Sequence, residues 1–393
     1  MDLKEEGKDL EVAGHNQAAD KKLADLNVAI IHYWMMTWRG GEKVVESILK
    51  IFPNADVYTL FYDEQVCGPY LKGRKVYTSR LNLPILKKQY QKLFPLYPFA
   101  VKSLRLQKKY DLIISSESGP AKGIFNPDKI PHLCYIHSPM RYCWGYTDIY
   151  LESLPVWARK IARWRFNKLR QWDESTIDNV DLYVANSQNV KNRVQKYYGR
   201  ESEVCFPPID LELFKSEPGK EDKDYYLSFG ALTPYKNIEL LIDTFNQLDK
   251  KLVVIGSGSE KNKLESISKN NIEFKGSLPL PEVIKYIQQA KALLFPGEED
   301  FGMIPLEVMS QGVPVIALKK GGALETVVEN PEKPEQSSGI FFELPNTGSL
   351  LTAIEKFEAL EGQFDPHWIR QHARKFGEDF FLKRFKQLVQ EVI

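Results

Sequence analysis

Two series of short apolar runs, each alternating with longer amphipathic stretches, organise this chain. The first holds NVAIIHYW, DVYTLFY, DLIISS, HLCYIHSP and DLYVANS; the second holds YYLSFGAL, KLVVIGSG, IEFKGS, ALLFPG, PVIAL and GIFFEL. Runs of this length, rich in β-branched and aromatic residues, read as buried strands, while the stretches between them, such as VVESILKIF, have helical character. Strand, loop and helix repeated in this order predict parallel sheets with helices on both faces. The series break at CFPPIDLELFKSEPGKEDKDY, where prolines and charges accumulate. The expected fold class is therefore α/β, with Rossmann-like domains over residues 27–207 and 208–375 and a ligand cleft between them at the carboxyl ends of their strands. Residues 1–26 are polar, acidic and short of large apolar groups, the pattern of a disordered tail.

Composition adds exclusions. The chain has 393 residues, 43% hydrophobic and 27% charged, which suits a globular protein with two cores. No apolar run reaches the length of a membrane span and the N-terminus carries no signal-type segment, so a cytoplasmic location is expected. Cys67, Cys134, Cys143 and Cys205 have neither metal-type nor redox-type spacing and read as reduced residues in or near the core. The net charge of +1 conceals an asymmetry: 31 Lys and Arg against 24 Asp and Glu up to residue 210, then 22 against 28.

The segment PGEEDFGMIPLEVMSQGVPVIA, Pro296 to Ala317, carries the most chemistry. It follows a strand-like run, and Pro305 at a first helical position with Gly312 as a C-terminal cap would bound a helix. The amides of Gly302, Met303 and Ile304 would then point out of the helix start, where the dipole favours phosphate or a hydroxyl's lone pairs. Glu307, one turn in, is placed for ribose hydroxyls, and Glu299 on the loop for a sugar. An isolated pair of this kind also suits a solvated acidic turn with Glu298 and Asp300.

The string EDFGMIPLEVMSQGVPVIA followed by KKGGALETV resembles the donor-site signature of the retaining glycosyltransferases of family four, and the resemblance extends over nearly the whole chain from about Val28. It implies the two-domain GT-B fold, a nucleotide-sugar cleft between the domains, and a last helix, about 376–393, returning to the first domain. It also implies that Phe301 belongs to the donor loop, that Lys236 in ALTPYKNIEL binds the diphosphate, and that Gly256 in VVIGSGSE lies near the nucleotide base. Gly40 and Gly41 follow the first strand, where the missing β-carbon would let backbone approach the donor phosphates; alone, a glycine pair is more often a turn. His137 in HSPMRYCWG ends a strand-like run, and the family places a histidine here beside the transferred sugar. Arg141, Tyr142 and Trp144 suit an acceptor by their charge and aromatic faces, or equally packing under a long loop. Where many relatives have an arginine, five residues before the lysine, this chain has Ala231; Arg39 or Lys122 are alternative sources of charge.

The resemblance implies an enzyme that moves a hexose from a nucleotide sugar to a hydroxyl of a glycan or lipid-linked glycan. Mannose from GDP-mannose is preferred because HSPMRYCWG and RGGEKV look closest to bacterial mannosyltransferases of polysaccharide and O-antigen assembly. A UDP-linked glucose, galactose or N-acetylhexosamine donor, and a non-catalytic scaffold of polysaccharide assembly, are the alternatives. No cofactor and no metal are expected, and Asp222-Lys223-Asp224, a superficially metal-type pair, reads as a solvated linker. Residues 71–110 hold eleven Lys and Arg and no Asp or Glu, interleaved with apolar residues, and ARKIARWRFNKLRQW repeats the character. Both suit an anionic membrane surface, giving a peripheral protein on the inner face of the membrane; no nucleic-acid motif accompanies the charge.

Overall fold

The computed structural model describes residues 21–393 apart from 153, 212–213 and 215–223. Its chain divides into two units, one running to Pro208 and resuming over Phe381–Ile393, the other covering Ile209–Phe380. Most of the expected tail, residues 1–20, lies outside the described residues, as do Asp222 and Lys223. The stretch just after it is part of the core: Leu23 is buried with Val28 and Ile30, so the polar character of 1–26 does not extend to its last turn.

The first unit is built on seven parallel strands, β1 (Val28–Met35), β2 (Asp56–Tyr62), β3 (Val76–Thr78), β4 (Leu112–Glu117), β5 (His132–Ile136), β6 (Leu182–Ala185) and β7 (Glu203–Val204). Their order across the sheet is β3-β2-β1-β4-β5-β6-β7. The central strands β1, β4 and β5 are buried on both faces, which is why they show no strict alternation of apolar and polar residues. Helix Gly40–Ile51 covers one face through Val44, Val45, Ile48 and Leu49. The C-terminal helix Glu378–Gln390 joins the same core through Phe381, Phe385, Leu388 and Val389, with Phe381 5.8 Å from the Tyr135 ring.

The second unit has six parallel strands, β8 (Tyr225–Phe229), β9 (Lys251–Ile255), β10 (Ile272–Gly276), β11 (Ala290–Phe295), β12 (Val315–Leu318) and β13 (Gly339–Phe342), in the order β10-β9-β8-β11-β12-β13. Both sheets therefore have the doubly wound order, reversing direction between β1 and β4 in one and between β8 and β11 in the other. Such a reversal sends successive crossover helices to opposite faces and leaves a crevice at the carboxyl ends of the two central strands. The stretch entering this unit pairs with the stretch leaving it: Ile209 N–H donates to the Phe376 carbonyl at 3.1 Å.

Candidate active site

In the second unit the loops after β8, β9, β11 and β12 converge on the crevice. Lys236 ends the tight turn Pro234–Lys236, and Asn237 behind it, at φ 54, redirects the chain into helix Ile238–Phe245. Gly297 makes the next step possible, since a β-carbon there would meet the Lys236 Cα at 3.0 Å and the Tyr235 carbonyl at 3.1 Å. This close approach brings Glu299 onto Lys236, and the two side chains, 16% and 14% exposed, form an ion pair. A recess beside the pair is lined by Gly230, Ala231, Lys236, Gly297, Glu299 and Ile304. Ala231 thus shares the recess with Lys236, and its methyl adds no charge to it.

The acidic loop is held from behind by the glycines of KKGG. Gly322 N–H donates to the Glu299 carbonyl at 2.8 Å, and a β-carbon on Gly322 would lie 2.2 Å from the Phe301 Cα. Only glycine fits there, so the pair in KKGG clamps the loop that carries Glu299. Gly256 has a similar structural duty. At φ +142 its β-carbon would fall 1.8 Å from the Gly230 carbonyl oxygen, so this residue is required for the β8 and β9 loops to pack, whatever it does toward a ligand.

Helix Met303–Met309 begins with Gly302 as its N-cap at φ 85 and ends at Ser310. Pro305 is therefore its third residue rather than its first, still within the turn where no amide proton is needed, and Gly312 lies past the cap at φ 76. The first-turn amides at Met303 and Ile304 face out of the helix by geometry. Glu307 is half-buried one turn further on. The Phe301 side chain in this loop is buried, 6.0 Å from the Phe376 ring. Asp224, the described member of the discounted acidic pair, sits 3.4 Å from Lys251.

In the first unit His137 follows β5, its N–H donating to the Glu117 carbonyl at 2.8 Å. Its Nε2 lies 2.9 Å from Ser116 Oγ. On the other side of Ser116, His32 Nδ1 donates to the Ser116 carbonyl at 3.1 Å, which fixes the Nδ1–H tautomer because a carbonyl only accepts. His32 is fully buried, and its Nε2 has no hydrogen-bond partner among the described residues. Burial, then the nearby His137 charge, lower its pKa to about 3. Gly41 lies over both rings, with a β-carbon there 3.4 Å from His32 Cε1 and 3.7 Å from His137 Nε2. Gly40 and Gly41 open helix Gly40–Ile51, whose Glu42 accepts from the Arg39 N–H at 3.1 Å. His32 was not legible as a site residue, since it is a lone polar position inside an apolar strand, and Ser116 is one of three consecutive polar residues that end β4.

Two sequence candidates are displaced. Lys122 is fully buried, ion-paired with Asp173 and, at 3.2 Å, with Glu117; no ligand phosphate reaches it. Burial alone would lower its pKa, but Asp173 and Glu117 outweigh that and hold it raised and charged. Burial also raises Glu117, to about 7. Trp144 belongs to the same cluster: it is buried, its indole N–H donates to Asp173 at 2.8 Å, and Arg170 stacks 4.9 Å from its ring. It packs the loop instead of offering a face to a sugar. Tyr142 is half-buried with its hydroxyl 3.2 Å from the Met140 sulfur, and Arg141 lies 5.7 Å from the Tyr146 ring. Arg39 is exposed.

The basic stretch 71–110 does not form one face. Lys72 and Lys75 precede β3, and Lys108 and Lys109 precede β4, at the amino ends of these strands, whereas Arg80 follows β3 at its carboxyl end. Lys87 Nζ donates to the Tyr62 carbonyl at 2.8 Å, and Lys108 pairs with Asp56 at 3.2 Å. A charge run in sequence is spread over both ends of the sheet's strands. Among the described residues no helix is long and apolar enough to cross a membrane.

Residues 38–213 match the family model described as Glycosyltransferase Family 4, and residues 210–376 match the one described as Glycosyl transferases group 1. An uncharacterized glycosyltransferase of Methanocaldococcus jannaschii is 30% identical over 88% of this chain and 92% of its own length. The alpha-1,3/1,6-mannosyltransferase ALG2 of Saccharomyces cerevisiae is 25% identical over 75% of this chain and 69% of its own. Among solved structures, sucrose-phosphate synthase from Thermosynechococcus elongatus superposes with a TM-score of 0.70 at 17% identity, over 93% of this chain and 98% of the other. Anabaena HepE in complex with UDP gives 0.67 at 17% identity, over 93% and 100%.

Proposed function

This chain belongs to glycosyltransferase family 4 and has the GT-B fold, and from that premise we propose that it transfers mannose from GDP-mannose, with retention, to a hydroxyl of a lipid-linked glycan. The observation that carries the site assignment is the Lys236–Glu299 pair at the strand-order reversal of the second unit. A cation and a carboxylate held together there suit a ligand that is anionic on one side and rich in hydroxyls on the other. Mannose as the sugar is favoured by the ALG2 mannosyltransferases among the relatives, together with the HSPMRYCWG and RGGEKV segments.

In this reading Lys236 and the amides of Gly302, Met303 and Ile304 at the helix start take the charge of the diphosphate, and Glu307 accepts from the ribose hydroxyls. Glu299 accepts from the transferred sugar. The anomeric C–O bond breaks as the diphosphate departs with the electron pair. The acceptor hydroxyl attacks from the same face and passes its proton to a departing phosphate oxygen. Fixed positive charge at the leaving group lowers this barrier because it need not reorganise as the charge develops. No metal is assigned a role.

Calorimetric titration with GDP, UDP and ADP tests the donor site. GDP is expected to bind most tightly, and Glu307→Ala to weaken it by about 1.5 to 3 kcal/mol, the worth of a charge-assisted hydrogen bond. Preference for UDP would replace the donor while keeping the site; unchanged affinity in folded Glu307→Ala would remove the ribose role.

A further inference from the structure

Helix Val156–Glu174 of the first unit turns an unusual face outward. Phe166, Leu169 and Asp173 are its buried side. On the opposite side Trp157, Ile161 and Trp164 recur at four- and three-residue steps, a single stripe along the helix, and they are 78%, 51% and 60% exposed. Val156, at the helix start, is 75% exposed. Large aromatic side chains left this open on one helix mark an interaction surface and not ordinary solvent contact.

The charges say what the surface meets. Between Val156 and Arg170 there are six bases, Arg159, Lys160, Arg163, Arg165, Lys168 and Arg170, and no Asp or Glu. Lys160, Arg165 and Lys168 are exposed beside the stripe, while Arg163 is partnered by Asp148 at 2.8 Å. Packing this face against a second copy of itself would set like charges against like. A headgroup layer of anionic lipid offers the complement: negative charge for the bases, and an apolar-to-polar boundary that suits tryptophan. We propose that Trp157, Ile161 and Trp164 insert into the headgroup region of an anionic membrane, with Lys160, Arg165 and Lys168 on the lipid phosphates. The helix then lies in the membrane plane as an interfacial element. The segment 90–96 beneath it supports this seat, with Phe94 5.2 Å from Phe166, so the basic stretch 71–110 contributes through its members near this helix only. The inference rests on the reading that the acceptor is lipid-linked, and it replaces the broad basic segment with one defined stripe.

The test is co-sedimentation with vesicles of phosphatidylcholine alone or mixed with phosphatidylglycerol, alongside release of nucleoside diphosphate from sugar nucleotide without vesicles. Wild type should pellet with the mixed vesicles and lose binding as salt shortens the Debye length from about 10 Å at 0.1 M to about 3 Å at 1 M. Trp157→Ala/Trp164→Ala should lower partitioning about tenfold, since the inserted apolar contact is lost, and leave donor hydrolysis unchanged. Lys160→Glu/Lys168→Glu, which keeps both tryptophans, should lose binding to the anionic vesicles specifically. If the tryptophan variant pellets like wild type, or if it only converts a dimer to a monomer by light scattering, the inference is overturned. Vesicle binding without donor hydrolysis would instead sink the transferase reading and leave this surface standing.

Discussion

Replacing Glu299 by Gln should tighten the binding of free nucleoside diphosphate while slowing transfer, and the opposite signs make the variant informative. In the structure Lys236 is committed to Glu299. A nucleoside diphosphate without its sugar draws Lys236 toward phosphate and gives Glu299 nothing in return, so the ion pair opposes binding. Two unit charges about 4 Å apart at an effective dielectric of about 20 attract by about 4 kcal/mol, and a fully exposed pair is worth no more than about 1. With side chains 14% and 16% exposed at the mouth of an open recess, solvent screening places the net cost of opening near the lower figure, about 1 kcal/mol. Glu299→Gln should therefore tighten diphosphate binding about fivefold. Lys236→Ala should weaken it by about 1.5 to 3 kcal/mol, and in the Lys236→Ala/Glu299→Gln double variant the gain from glutamine should vanish. Isothermal titration of the four proteins with one nucleoside diphosphate reads all of this as a double-mutant cycle. Equal or weaker binding by folded Glu299→Gln would refute the idea that Lys236 leaves Glu299 for the phosphates.

Four further outcomes follow from the same geometry. Ala231→Arg, in the recess beside Lys236, should tighten diphosphate binding by about 1.5 kcal/mol by adding a second cation; no change by calorimetry would mean that this position does not face the phosphates. Lys122→Met leaves Glu117 and Asp173 buried without their cation and should cost about 3 to 5 kcal/mol in urea unfolding, and a loss under 1 kcal/mol, of the size typical of exposed pairs, would contradict a fully desolvated cluster. Because burial and the His137 charge hold His32 near pKa 3, the unfolded chain binds the extra proton between about pH 6.5 and 3, so stability is present above 6.5 and falls as pH drops through that window. At pH 5 the His32 share is at most about 2 kcal/mol, and His32→Gln should flatten the thermal-melting profile between pH 7 and 5. Transfer should persist in EDTA, with phosphate charge met by Lys236 and helix-start amides; loss of transfer restored by manganese would contradict this.

Strands with a full apolar run were legible because burial on both faces leaves an unmistakable signature, as in VAIIHYWM and DVYTLFY. The edge strands β3 and β7, three and two residues long, carry no such signature, being half-covered and too short for a pattern. The acidic loop could be placed from its glycine and proline punctuation, yet the start of its helix moved two residues from Pro305 to Met303, since proline is tolerated anywhere in a first turn. What sequence could not supply was pairing at a distance. Nothing in ALTPYKNIEL says that Lys236 rests on Glu299, and nothing in SGPAKGIF says that Lys122 is enclosed by Asp173, fifty-one residues away. The same blindness merged the bases of 71–110 into one surface, because linear spacing ignores which end of a strand each loop occupies.

The most direct test of the account is proton NMR of the sugar released when the protein is incubated with GDP-mannose and no acceptor, water taking the acceptor's place. The donor carries its mannose in the α configuration, so same-face attack should release α-mannose first, together with GDP, ahead of equilibration of the free sugar. Glu307→Ala and Lys236→Ala should suppress the signal. Appearance of β-mannose first, or release from a UDP-sugar with none from GDP-mannose, would contradict the proposed reaction.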